Sequence, residues 1–219
     1  KPCFLDGEHT PSFFVAARGH HADVGGIAPG SMPADSRRID EEGVLLDDVL
    51  LVDEGRFREA DMRARLAAGP WPARNIDQNI GDLVAQVAAC QRGADALAAA
   101  ARMHGRDTLI AYMAHVQDNA AEAVAQLIGK LADGAFEALM DIGAAIRVAV
   151  RVDREARRMV VDFAGTSPLS ESNFNAPASI ARASLLYVLR CLVDAPIPLN
   201  DGALRPVELR IPPGCLLLS

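Results

Sequence analysis

The chain has 219 residues, half of them hydrophobic and 23% charged, enough for one large domain or two small ones with a sizeable core. Acidic residues outnumber basic ones by 29 to 22, a formal net charge of −7. That balance argues against nucleic acid or an anionic membrane as the main partner, because those surfaces need a basic excess.

Residues 1 to about 55 read as short strands and loops. Phe13 to Ala17 predicts a buried strand, and it delivers the chain into the segment from Arg18 to Pro33. That segment holds adjacent His20 and His21, then Asp23, and the glycines Gly19, Gly25, Gly26 and Gly30. In extended chain His20 and His21 diverge, whereas His21 and Asp23 share a side. Such a pair can ligate a metal, or serve as a base and its orienting acid, with one histidine facing the site and the other supporting it. A pair of histidines hydrogen-bonded inside a tight loop fits the spacing somewhat better, because two His and one Asp do not close a metal site. Val49 to Val52 predicts a second strand and Asp53-Glu54-Gly55 a turn.

Residues 56 to 132 read as helical. A short charged helix over 56–68 is stopped by Gly69-Pro70 and the following Trp71-Pro72. From Asp77 to Met103, Ile80, Leu83, Val84, Val87, Ala94 and Leu97 recur at helical spacing. Asp107 suits a helix N-cap, and Leu109, Met113, Val116, Ala120, Val124, Leu127 and Leu131 form the next stripe. The short connection at His104-Gly105 predicts an antiparallel hairpin of two long helices.

Residues 134 to 219 return to strands. Ala145 to Val152 and Arg158 to Phe163 alternate with a period of two about a turn at 153–157. Ser179 to Val193 predicts an amphipathic helix and Leu204 to Ile211 a final strand. The architecture is therefore α+β, mixed strands around a central long antiparallel helical hairpin. Asp162, Thr166 and Ser167 leave a strand end, and Asn173 and Asn175 follow in a turn. Their side chains can orient an amide substrate or simply build the turn. His104, His115 and His9 read as cap, helix-edge and loop residues. Cys3, Cys90, Cys191 and Cys215 are scattered without a CxxC pattern and read as reduced and structural. Neither GxxxxGK[ST] nor GxGxxG occurs, so ATP is not expected to bind in this stretch. No apolar run reaches the roughly 18 residues of a membrane span, and no signal peptide is visible at the start.

Six segments in order resemble the hydantoinase B / 5-oxoprolinase family. They are Arg18 to Pro33, Glu41-Glu42-Gly43-Val44, Arg74-Asn75 with Asn79 to Gln86, Asp162 to Pro168, Asn173 to Pro177, and Pro198 to Gly202 with Arg205-Pro206. Together they span nearly the whole chain. Family members are much longer, so the resemblance implies a central portion of a hydantoinase B-like fold. A stretch contributing another His and Asp would lie upstream and glycine-rich regions downstream.

The resemblance further implies ATP-dependent hydrolysis of a cyclic amide such as 5-oxoproline or a hydantoin. ATP would be bound by a hydantoinase A-like subunit or by a fused N-terminal half, in the cytoplasm. His20, His21 and Asp23 are the expected catalytic and metal-holding residues for a divalent ion, zinc or manganese. Asn173, Asn175 and Ser167 are the expected substrate contacts. The segment alone is expected to be inactive. Carboxylation of a small ketone, as in related acetone carboxylases, and a non-catalytic scaffold are the alternatives.

Overall fold

Residues 1–218 are described by a computed structural model, in which the chain forms two units, the first ending at Leu109 and the second beginning at Ile110. In the first, β1 (Pro2–Cys3) pairs antiparallel with β2 (Phe13–Phe14), which buries Cys3 and Phe13. The strand expected over 13–17 is thus shorter, although Val15 still exchanges backbone bonds with Lys1. After the one-turn helix α1 (Ile39–Glu42), β3 (Val52–Asp53) and β4 (Arg56–Phe57) close a tight hairpin around Glu54-Gly55. The predicted strand at 49–52 contributes only its last residue. Val49 and Leu51 instead pack side-on against the core.

Helices α2 (Glu59–Leu66) and α3 (Ile76–His104) carry that core. Met62 and Leu66 of α2 meet Ala73, Ile80 and Leu83. Truncating a side chain as buried as Leu66 to alanine typically costs about 2–5 kcal/mol. Helix α3 starts at a built stop: Asn75 caps it by accepting the Gln78 backbone N–H at 3.2 Å.

The second unit takes in most of α4 (Arg106–Ile128), which follows α3 after the single residue Gly105. A four-stranded sheet follows, in the order β5 (Gly134–Leu139), β6 (Ala145–Asp153), β7 (Arg158–Asp162), β8 (Val207–Arg210). The first three strands are antiparallel. β8 joins β7 in parallel after a crossover through α5 (Ala178–Leu192), as a parallel pair requires. β5 was not anticipated: Gly134-Ala135-Phe136-Glu137 has weak strand propensity, and every residue of β5 is exposed, so no burial pattern marks it.

Periodicity locates the buried face of each long helix but not what covers it. The α3 face clusters with α2. On α4, Ala120, Val124 and Ile128 cluster with Met159, Val161 and Leu189, while Met113 and Val116 stay exposed. A 3-10 turn at Asp201–Leu204 closes over the same helix. Gly202 lies so near α4 that an added Cβ would sit 2.1 Å from the Gln117 carbonyl oxygen. Among the described residues no helix is long and apolar enough to cross a membrane.

Candidate functional site

The loop from Arg18 to Pro33 is threaded through the first unit by its glycines. Gly25 and Gly26 adopt φ of +95° and +87°, where a side chain is strained. A Cβ on Gly25 would lie 2.3 Å from the Trp71 carbonyl oxygen, and one on Gly26 2.6 Å from that of Glu41. The close passage is used for hydrogen bonding. Gly26 N–H donates to Trp71 at 3.0 Å, Ile27 N–H to Glu41 at 2.8 Å, and Val44 N–H to Val24 at 2.8 Å. Ser31 Oγ adds an inner tie, accepting from Val24 N–H and donating to the Gly25 carbonyl.

Arg74, just before α3, is the latch. Its guanidinium donates to Asp23 Oδ2 at 2.8 Å and to the carbonyls of Gly26 at 2.7 Å, Ala28 at 3.2 Å and Gly25 at 3.3 Å. A planar fork of donors suits this convergence of acceptors, and a lysine would not reproduce it.

Asp23 sits at the centre. Its Oδ1 accepts from Gly25 N–H at 2.9 Å and Arg74 N–H at 3.3 Å, and its Oδ2 from Gly30 N–H at 2.9 Å. Burial, the largest single influence, raises the pKa. The Gly30, Gly25 and Arg74 backbone donors with the Arg74 guanidinium together outweigh it and hold the carboxyl at about 2. A carboxylate depressed in this way stabilises the fold above its unfolded pKa near 4, and the contribution is lost as pH falls through the folded value. In urea unfolding, the advantage of the wild type over Asp23→Asn should be about 2 kcal/mol at pH 6 and fade between about pH 4 and pH 2. An advantage independent of pH would show that the charge is not what Asp23 contributes.

The two histidines part company, as adjacent residues of extended chain do. His21 is half-buried against α3, with Nδ1 3.1 Å from Asn79 Nδ2 and Nε2 3.4 Å from Gln86 Nε2. Asp82 Oδ2 lies 3.6 Å from Nδ1. His20 is exposed and makes no hydrogen bond or ion pair among the described residues. Arg74, Asn79, Asp82 and Gln86 stand in the sequence as part of a family-like motif with no role assigned by it. Their signal was legible: Asn79, Asp82 and Gln86 are three and four apart, so they share one helix face. Asn79 is polar yet 2% exposed, beside the core residues Ile80 and Leu83.

The expected substrate contacts lie in the second unit. Ser167 Oγ accepts from Ala145 N–H at 2.9 Å and ties the 162–168 turn to β6. Asn175 accepts from Ser170 N–H at 2.8 Å and donates to the Ser170 and Ser172 carbonyls, so its amide builds its own turn. Asn173 and Asn175 line a groove of about 840 Å³ that is otherwise apolar except for Ser184, with Phe174, Ile180, Val188 and Leu216 among its walls. Among the described residues, no three His, Cys, Asp or Glu side chains come together as metal ligands. All four cysteines are free thiols.

Residues 1–219 match the family described as Hydantoinase B/oxoprolinase over their whole length. The chain is 40% identical to 5-oxoprolinase 1 of Arabidopsis thaliana over 94% of its length, and 38% identical to 5-oxoprolinase of Saccharomyces cerevisiae over 94%. It spans only 18% and 17% of those proteins. Among solved structures it resembles the ATP-dependent caprolactamase from Pseudomonas jessenii, with a TM-score of 0.74 and 25% identity, covering 92% of this chain and 35% of that one. Acetone carboxylase in its nucleotide-free form superposes over 100% of this chain and 30% of its own, with a TM-score of 0.81. At 15% identity that likeness concerns the fold alone.

Proposed function

The chain belongs to the Hydantoinase B/oxoprolinase family, and from that premise we propose that the whole protein hydrolyses a cyclic amide with consumption of ATP. The substrate is 5-oxoproline, a hydantoin or a related lactam. The observation that carries this reading is the latched loop, which fixes His21 against α3 and leaves His20 exposed and, among the described residues, unpartnered. An unstrained amide is a poor electrophile. Phosphorylation of its oxygen, at an ATP site on a hydantoinase A-like subunit or a fused half, makes that oxygen a leaving group. The remaining task is to deliver water to the activated carbon.

His20 is the residue of this chain suited to that task. Its exposed ring can take the proton of the attacking water. It also fits one position of a divalent-metal site, zinc or manganese, which a further His and Asp expected upstream would complete. Such an ion would supply acidity to a bound water. Asp23, with both oxygens engaged, holds the loop. Asn173 remains a candidate substrate contact beside the groove. The segment by itself is taken to be inactive, and the whole protein is read as cytoplasmic, a reading in keeping with the free thiols of this segment.

The test uses the full-length protein, with its ATP-binding partner where the two are separate. ATP is supplied with 5-oxoproline, hydantoin or caprolactam, and ADP and ring-opened product are measured. The expected result is stoichiometric coupling on at least one lactam. Turnover of a ketone with bicarbonate, and of no lactam, would overturn the proposal.

A further inference from the structure

We infer that Asn79 and Gln86 hold His21 as the neutral tautomer with its proton on Nε2, which makes His21 a positioning residue and leaves His20 as the imidazole of the loop with an open lone pair. The inference rests on the loop serving the proposed hydrolysis, but its geometry stands independently.

The orientation of the Asn79 amide is not arbitrary. Its Nδ2 lies 2.8 Å from the Asp23 backbone carbonyl oxygen, which can only accept. Turning the amide over would set two oxygens against each other, so the NH2 group must face Asp23. The same NH2 lies 3.1 Å from His21 Nδ1, and a hydrogen bond there requires an unprotonated Nδ1. The price is Asn79 Oδ1, buried without a hydrogen-bond partner among the described residues. The arrangement is thus maintained against the cost of an unsatisfied buried acceptor.

With Nδ1 bare, the proton of a neutral ring sits on Nε2 and points at the Gln86 amide 3.4 Å away. Two N–H donors cannot bond, so the Gln86 amide presents its oxygen there, an assignment made from the hydrogen-bond network. The end of Gln86 is itself pressed on the loop: a Cβ on Gly19 would lie 2.8 Å from the same amide atom. Asp82, the carboxylate within 4 Å of this ring among the described residues, would favour a proton on Nδ1, but at 3.6 Å it is beyond hydrogen-bond reach. Both ring nitrogens of His21 are therefore engaged. Metal ligation through Nε2 would need a proton on Nδ1, where Asn79 already donates.

The experiment is 15N NMR of the full-length protein labelled with [15N]histidine, without ATP, substrate or added metal, using His21→Asn to assign the signals. Protonated and bare ring nitrogens are well separated in 15N shift. Wild type should show His21 bare at Nδ1 and protonated at Nε2. Asn79→Asp has nearly the same volume but only acceptor oxygens, so it should move the proton to Nδ1. Gln86→Glu keeps an acceptor at Nε2 and should leave the tautomer unchanged. A mere space-filling role for Asn79 would leave the tautomer unmoved in Asn79→Asp. A proton on Nδ1 in wild type, or an Asn79→Asp spectrum identical to wild type, overturns the inference. If Asn79→Asp does not fold, the wild-type spectrum decides. Since no turnover is measured, failure here is separable from failure of the proposed reaction.

Discussion

Arg74→Ala in the full-length protein is expected to lower turnover at least ~100-fold, the cost of misplacing a reacting group by about 1 Å. The guanidinium is the donor shared by Asp23 and by the carbonyls of Gly25, Gly26 and Ala28. Without it, three carbonyls that converge on one point lose their common partner, and Asp23 keeps only backbone donors. Ser31 Oγ still donates to the Gly25 carbonyl, but among the described residues no other donor is common to all three carbonyl oxygens. The guanidinium is partly exposed, so the stability loss should be modest, about 2 kcal/mol by urea unfolding. Helix α3 is held separately by Ile80 and Leu83 against α2, so far-UV circular dichroism should not change. Arg74→Lys should recover the charge on Asp23 but little of the activity, since a single ammonium cannot serve four acceptors. Wild-type turnover in Arg74→Lys would mean that the charge pair, not the clamp on the loop backbone, is what matters.

Much of this arrangement is legible in the sequence, and the remainder is missing for identifiable reasons. Helix α3 at Ile76–His104 and the strands β6 and β7 follow from apolar spacing, because α3 and β7 bury residues on one face and β6 half-buries Val148, Val150 and Val152 on one face. β5 leaves no such trace, since all six residues are exposed and only its backbone pairing with β6 defines it. The divergence of His20 and His21 follows from chain geometry. Which one is tied down does not, because Asn79 and Gln86 are 58 and 65 residues away from His21. Asp23 shows the limit most clearly. A carboxylate two residues from a histidine suggests a ligand, but three backbone N–H groups and Arg74 engage its oxygens, and only the turn at Gly25 and Gly30 brings two of those donors there. Asn175 follows the local rule, its amide bonding to backbone three and five residues away, whereas Ser167 Oγ reaches Ala145 N–H across 22 residues, a partner that only the fold supplies.

His20→Ala should separate chemistry from architecture more cleanly than any other substitution in the loop. The ring is exposed and bonds to nothing among the described residues, so removing it deletes no structural contact. Denaturation midpoint and circular dichroism should match wild type. Turnover of the full-length protein on its lactam should nevertheless fall by about 10²–10⁴, the usual worth of a positioned proton acceptor. Elemental analysis of the same pair then assigns the role. Divalent metal present in wild type and lost in His20→Ala would make the ring a ligand. Metal equal in both, with turnover lost, would leave it as the base that takes the proton of water. His21→Ala differs in kind, because it leaves the Asn79 amide and the end of Gln86 facing a void. It should therefore lower the denaturation midpoint as well as the rate. If His20→Ala turned over normally while His21→Ala did not, the chemistry would belong to the half-buried ring, and the loop would have to open Asn79 away from it during the reaction.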